Sequence, residues 1–273
     1  MPVSKSLIAF LAALSAAPVH PGDSPSSLAP LAPPDETEAA VPTVDAKLGP
    51  HRFRFPKNMY YQQTGPDADG GVMLNVQWPY LRPLPLGVDY HDSNDNFINH
   101  ISIDLSTVEH LSDDQYRALL RRMIEPLDPE KPTPSEKVVG DLSARIQGET
   151  SHALTRYSVD FEKFRDFYIK TYGTHVRPPD PTQNDDWYVH MGVDGIPTTV
   201  IKCTPVAQTD GVRIESGRIV DISGRSRRAM CRHQFLVPEY RLFVSLSYPR
   251  VILPEWQTMD MFVRKTLKAT EAK

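Results

Sequence analysis

One pattern, written once near each end of the chain, constrains the fold more than any other feature. Phe53-Arg54-Phe55-Pro56 leads into the alternating run Val72 to Trp78 and then Pro79-Tyr80-Leu81-Arg82-Pro83. Phe235-Leu236-Val237-Pro238 leads into Leu242 to Tyr248 and then Pro249 through Pro254. Both copies read strand, proline break, strand, aromatic and proline. Strand side chains alternate between two faces, so each run can bury one face, and proline sits at strand ends because it has no N–H for the ladder. A repeated strand pair predicts two related halves around a shared core. The expected class is α+β, antiparallel sheets with packed helices, in two similar sheet-plus-helix lobes from an internal duplication, roughly 51–150 and 151–273. Neither copy holds an evident acid, base, nucleophile or metal ligand, which points to binding rather than catalysis.

The N-terminus reads as an address. Lys5 precedes an eleven-residue apolar run, Leu7 to Ala17, closed by Pro18. This is the layout of a secretory signal peptide over residues 1–17. The run is too short to span a bilayer, which takes about 20 residues. Cleavage after Ala17 satisfies the small-residue rule with Ser15 but leaves Pro18 beside the cut, so uncleaved anchoring stays open. No cysteine lies nearby for a lipid anchor. Residues 18–50 carry eight prolines among Ser, Ala and acidic residues without hydrophobic period, and predict a disordered spacer before a body over 51–273.

The chain has 30 Lys and Arg against 34 Asp and Glu, a net charge of −4. That gives no electrostatic basis for gripping a phosphate backbone, so nucleic acid is not expected as a partner. Cys203 and Cys231 each fall in a strand-like run, Thr198 to Cys203 and Arg228 to Phe235. In an exported chain they predict a disulfide, with two buried free thiols as the alternative.

Three helices are legible. Ser112 with Gln115 forms a capping box before the stripe Tyr116, Leu119, Leu120, Met123 and Ile124, which Pro126 stops. Pro254 to Lys268 carries the stripe Trp256, Met259, Phe262, Val263, Thr266 and Leu267. Asp160 to Tyr172 is ended by Gly173, although its aromatics also suit a strand. Asn99 to Leu105 reads as a strand, and Asp194-Gly195 as the turn of a hairpin between Trp187 to Val193 and Thr198 to Cys203.

Catalytic signatures are missing: the chain has no Gly-x-Ser-x-Gly, His-Glu-x-x-His, phosphate-binding glycine loop or Cys-x-x-Cys. Asp92-Ser93-Asn94-Asp95-Asn96 begins like a calcium loop, but Phe97 occupies the glycine position and Ile103 the closing glutamate position. Asx-turn chemistry is the better reading, and as an exposed polar loop Asp92, Asn94, Asp95 and Asn96 become the candidate partner contact. The histidines make no ligand pair, so neither metal nor cofactor is expected. Arg225, Arg227, Arg228 and Arg232 read as a solvated strand edge, and Asp180, Asp185 and Asp186 as a solvated acidic loop. A hydrolase would need distant groups such as Asp104 with His100 or His190 to converge. An envelope ligand-binding module would instead need a deep apolar pocket.

Phe55-Pro56-Lys57-Asn58, Trp78-Pro79, Asp194-Gly195 followed by Val200 to Cys203, Cys231 to Phe235 and the Trp256 helix together resemble exported immunity proteins encoded beside lipase effectors of the bacterial type VI secretion system. The resemblance implies a periplasmic antitoxin, not an enzyme, whose partner is a cognate secreted phospholipase.

Overall fold

The computed structural model describes residues 41–67, 71–175, 180, 184–222, 224 and 228–272. The expected signal peptide over 1–17, most of the expected spacer, and Arg225 and Arg227 lie outside the described residues. An antiparallel hairpin, β1 (Thr43–Leu48) and β2 (His51–Pro56), opens the described body. The last part of the span read as spacer is therefore a strand. Ala46 and Leu48 alternate inward and are buried, a period too short and too close to Pro42 to stand out in the sequence.

Eight strands form one antiparallel sheet. In chain order they are β3 (Val72–Gln77), β4 (His100–Thr107), β5 (Ile146–Ser151), β6 (Leu154–Ser158), β7 (Asp186–Met191), β8 (Pro197–Cys203), β11 (Met230–Val237) and β12 (Leu242–Pro249), and in space they run β3-β4-β12-β11-β8-β7-β6-β5. A second small hairpin, β9 (Val212–Glu215) with β10 (Arg218–Asp221), stands apart. The α+β class is as expected, but the duplication is not shown. Phe53 to Pro83 places β2 against β1 and β3 against β4, whereas β11 and β12 pair with each other. The two segments thus occupy different topologies, and strands from both expected lobes share one sheet. Local alternation sets which face of a strand is buried and leaves its neighbour open, so similar strings can pair differently.

Alternation builds the main core on one face. Val72, Leu74 and Val76 of β3, Ile101, Ile103 and Leu105 of β4, and Leu242, Val244, Leu246 and Tyr248 of β12 all point inward. The β1–β2 hairpin covers them with Phe53 and Phe55, and helix α4 (Trp256–Thr270) adds Trp256, Met259, Val263 and Leu267 at helical spacing. Each fully buried large apolar side chain contributes roughly 1.5–3 kcal/mol. Cys203 and Cys231 are direct neighbours across β8 and β11 on this face, with Cα atoms 4.0 Å apart, and are disulfide-bonded.

The opposite face is covered only in part. The capping box at Ser112 and Gln115 is present, yet helix α2 spans only Asp113–Arg117 and the chain then tightens into a 3-10 turn over Arg121–Met123. The tightening still buries Tyr116, Leu120 and Ile124, the latter two against Trp187, Val189 and Val200. It also presents the Met123 carbonyl to the Lys202 ammonium at 2.7 Å. Arg145 and Lys202 both lie over the Trp187 ring, 3.5 and 4.2 Å from its centroid. Burial lowers the Lys202 ammonium to about 8. Two charge readings change here. Asp186 is buried and accepts from the Val206 N–H at 3.0 Å, so it is no solvated loop residue. Arg232 is exposed but sits on β11, an interior strand, so it guards no edge.

Candidate interaction surfaces

The Asp92 to Asn96 run folds as a capped helical turn. Helix α1 (Asn94–Ile98) starts from Ser93, whose hydroxyl accepts the Asn96 N–H at 3.0 Å. The Asp92 carboxylate accepts the Asp89 N–H at 2.7 Å, and the Asn96 amide donates to the Asp89 carbonyl at 3.3 Å. These oxygens are spent on local turns, the chemistry that Asx residues offer, instead of converging on an ion. Among the described residues no group of three or more His, Cys, Asp or Glu side chains is placed to hold a metal.

Behind this turn lies an aromatic terrace that no single stretch of sequence announces. Tyr90 stacks on His100 with ring centroids 4.3 Å apart and planes 8° from parallel, and packs at 4.0 Å on His91, 6.0 Å on Tyr61 and 6.4 Å on Phe97. Arg228 lies over Phe97 at 4.1 Å and donates to its carbonyl at 3.1 Å. Phe97 is 38% exposed. Two buried amides hold the terrace rigid. Asn99 exchanges hydrogen bonds with the backbone of Ile219 on β10, and Asn58 donates to the Leu84 carbonyl at 2.8 Å. His100 shares a 2.9 Å hydrogen bond with Asn75, and burial, with the charges of His91 and Arg228, lowers its pKa to about 4. Burial and the Tyr61 hydroxyl raise the Tyr90 phenol to about 12.

The hydrolase constellation does not assemble. His100 and Asp104 lie four residues apart on one strand, which separates them by about 13 Å. His190 hydrogen-bonds Thr198 at 2.7 Å and packs its ring 5.5 Å from Trp256, on the face that α4 covers. His233 is fully buried among Phe235, Tyr248 and Trp256, and both its ring nitrogens lack partners. Burial holds it neutral with a pKa lowered to about 3.

A second surface lies at the other end of the sheet. β5 is the terminal strand, almost wholly exposed, with Ile146 at 51%. Helix α3 (Phe161–Tyr172), between β6 and β7, is capped by Asp160 and ended by Gly173 as the sequence predicts. It buries none of its residues, although Phe164, Tyr168 and Tyr172 form a ladder along one side with ring spacings of 6.3 and 4.8 Å.

No protein-family profile matches this chain, and no curated protein matches it either. Among solved structures it resembles Smlt3025, an immunity protein of the Stenotrophomonas maltophilia type IV secretion system, with a TM-score of 0.72 and 29% identity over 85% of this chain and 94% of that one. That neighbour is an immunity protein, not an enzyme. The Neisseria meningitidis iron-regulated outer membrane lipoprotein FrpD also aligns, at a TM-score of 0.37 and 10% identity, too distant to carry an argument.

Proposed function

We propose that this chain is an immunity protein that binds a cognate secreted effector toxin and neutralises it by occupation, with no reaction of its own. The observation that carries this reading is the fold it shares, across nearly the whole of both chains, with a secretion-system immunity protein. The apolar leader Leu7 to Ala17 supports export, which would place the meeting in the periplasm. Among the described residues no helix is long and apolar enough to cross a membrane. A type VI lipase as the toxin rests on the sequence resemblance alone, whereas the similar structure serves a type IV system. The delivery system we favour is accordingly the type IV one.

For the contact we propose the terrace and its turn, with Asp92, Asn94, Asp95 and Asn96 as a polar rim around Tyr90 and Phe97. Rigid aromatics flanked by arginine are the residues that dominate binding energy in protein interfaces. The test is co-purification of the mature chain with the secreted protein encoded by the neighbouring gene, together with competition between a deletion strain and its toxin-delivering parent. A stable complex and a sensitised deletion strain are expected. Normal competition with no binding would overturn the proposal.

A further inference from the structure

We propose that the free edge of β5 is a docking site for an extended segment of the effector, which joins the sheet as an added strand. The partner's identity rests on the immunity reading; the mode of docking comes from the edge itself. Among the described residues, no backbone group of Ile146–Ser151 bonds outside the β5–β6 ladder, so its outward N–H and C=O groups face solvent in a row. The opposite edge is closed by the chain itself: Tyr60 bridges Leu74, and Arg82 bridges Gln77. Native proteins guard such edges with lysine, proline, bulges or covering elements. β5 carries neither Lys nor Pro, and its guards are Glu149 and an irregularity between Gln147 and Thr150.

Clefts flank this edge on both faces of the sheet. Tyr157 pairs with Trp187 and Arg156 with Tyr188, so alternation sends Tyr157 to one face and Arg156 to the other. A cleft of about 410 Å³ lies on the Tyr157 face, with Gln147, Ile124, Met191 and Pro197 on its walls. One of about 530 Å³ lies on the Arg156 face, bordered by Glu149, Tyr188 and Leu253. A strand added to β5 would send successive side chains alternately into these two clefts, the arrangement by which edge-strand recognition gains affinity from main-chain bonds and specificity from alternate pockets. The second cleft sets the Arg156 guanidinium among Leu154, Leu253 and Pro254, while the first mixes Ile124, Leu142 and Pro197 with Arg121, Arg145, Glu125 and Asp141. The occupant is therefore an extended effector segment that places an acidic side chain on the Arg156 face.

Hydrogen exchange of the full chain, alone and mixed with the neighbouring gene's secreted product, tests this. Amides within residues 146–151 should exchange at least about tenfold more slowly in the complex, a change of about 1.4 kcal/mol in opening free energy. Thr150→Pro should weaken binding about tenfold or more, because proline removes an N–H group that an added strand would use. If the proline disturbs folding, Arg156→Glu with an intact unfolding transition gives the same readout. Protection confined to residues 90–97 overturns the edge proposal and leaves the immunity reading standing. Absence of any complex overturns both. Protection at β5 that grows with the concentration of the chain alone identifies a second copy as the occupant and overturns the effector assignment.

Discussion

At β3 the sheet ends against its own chain: Tyr60 and Arg82 bridge its outer side, and Phe55 of β2 and Val263 of α4 line the same small cavity over Leu74 and Ile103. At β5 it ends in a strand that no other part of the described chain covers, and α3 buries none of its residues. The two helices sharpen this contrast. Both are amphipathic and both carry aromatics, yet α4 buries four side chains and α3 none. The sheet is thus sheltered at its β3 edge and open at its β5 edge, where the proposed strand addition would remove backbone groups from water. Elements that bury little can be changed at small cost to folding and large cost to recognition.

The largest effect should come from the closed end. Phe55→Ala removes a fully buried ring stacked 5.7 Å from Phe53 and edge-on to Tyr60, and should cost about 3–5 kcal/mol in urea unfolding. Phe164→Ala on α3 is its control. An equal loss from both would break the comparison.

Replacing Cys203 and Cys231 together by alanine should cost about 3 kcal/mol, because the bond closes a loop across a sequence separation of 28. The same measurement under reducing conditions should leave the double variant unchanged.

Acid should act on the middle of the sheet through His233 on β11. Its folded pKa is lowered to about 3 from 6.5, so the unfolded state binds the proton first. The neutral ring's contribution is complete above pH 6.5 and is lost as pH falls from there toward 3. Between pH 7 and pH 5 the native chain should lose about 2 kcal/mol more than His233→Leu does, read from denaturant midpoints at the two pH values. Because both ring nitrogens are orphaned, His233→Leu should also be no less stable at pH 7. A variant with the same pH slope as the native chain would place the acid response elsewhere.

The smallest effect on folding should come from Tyr168→Ser on α3, within about 1 kcal/mol, since the ring is only half-buried. A loss above about 2 kcal/mol would make α3 a helix that the core depends on, as it depends on α4.

Much of this architecture is legible along the chain because its causes are local. Two-residue alternation marks β3, β4 and β12. Side-chain oxygens at Ser112 and Asp160 and the glycine at position 173 mark helix ends, and two cysteines on strand-like runs mark the staple. The length of α2 was less legible, because packing of Leu120 and Ile124 against Trp187 and the pull of Lys202 on the Met123 carbonyl outweigh helical spacing after Arg117. The exposed polar run Asp92 to Asn96 stands out in the sequence, but Tyr90, His100 and Arg228, which pack behind it, meet only through the register of β4 and the clasp of Asn99 on β10.

The sequence by itself determined the class of fold, the strands β3, β4, β7, β8, β11 and β12 of the main sheet, the helix caps and the disulfide, because each follows from the preferences of residues a few positions apart, whereas β1, β5, β6, β9 and β10 were not legible. Tertiary structure alone decided that β2 leaves β3 for β1, that both expected lobes merge into one sheet, and that one edge is closed while the other stays open. Those outcomes turn on which strand hydrogen-bonds to which across long stretches of chain, and backbone groups that pair alike with any neighbour carry no record of that choice in the residues themselves.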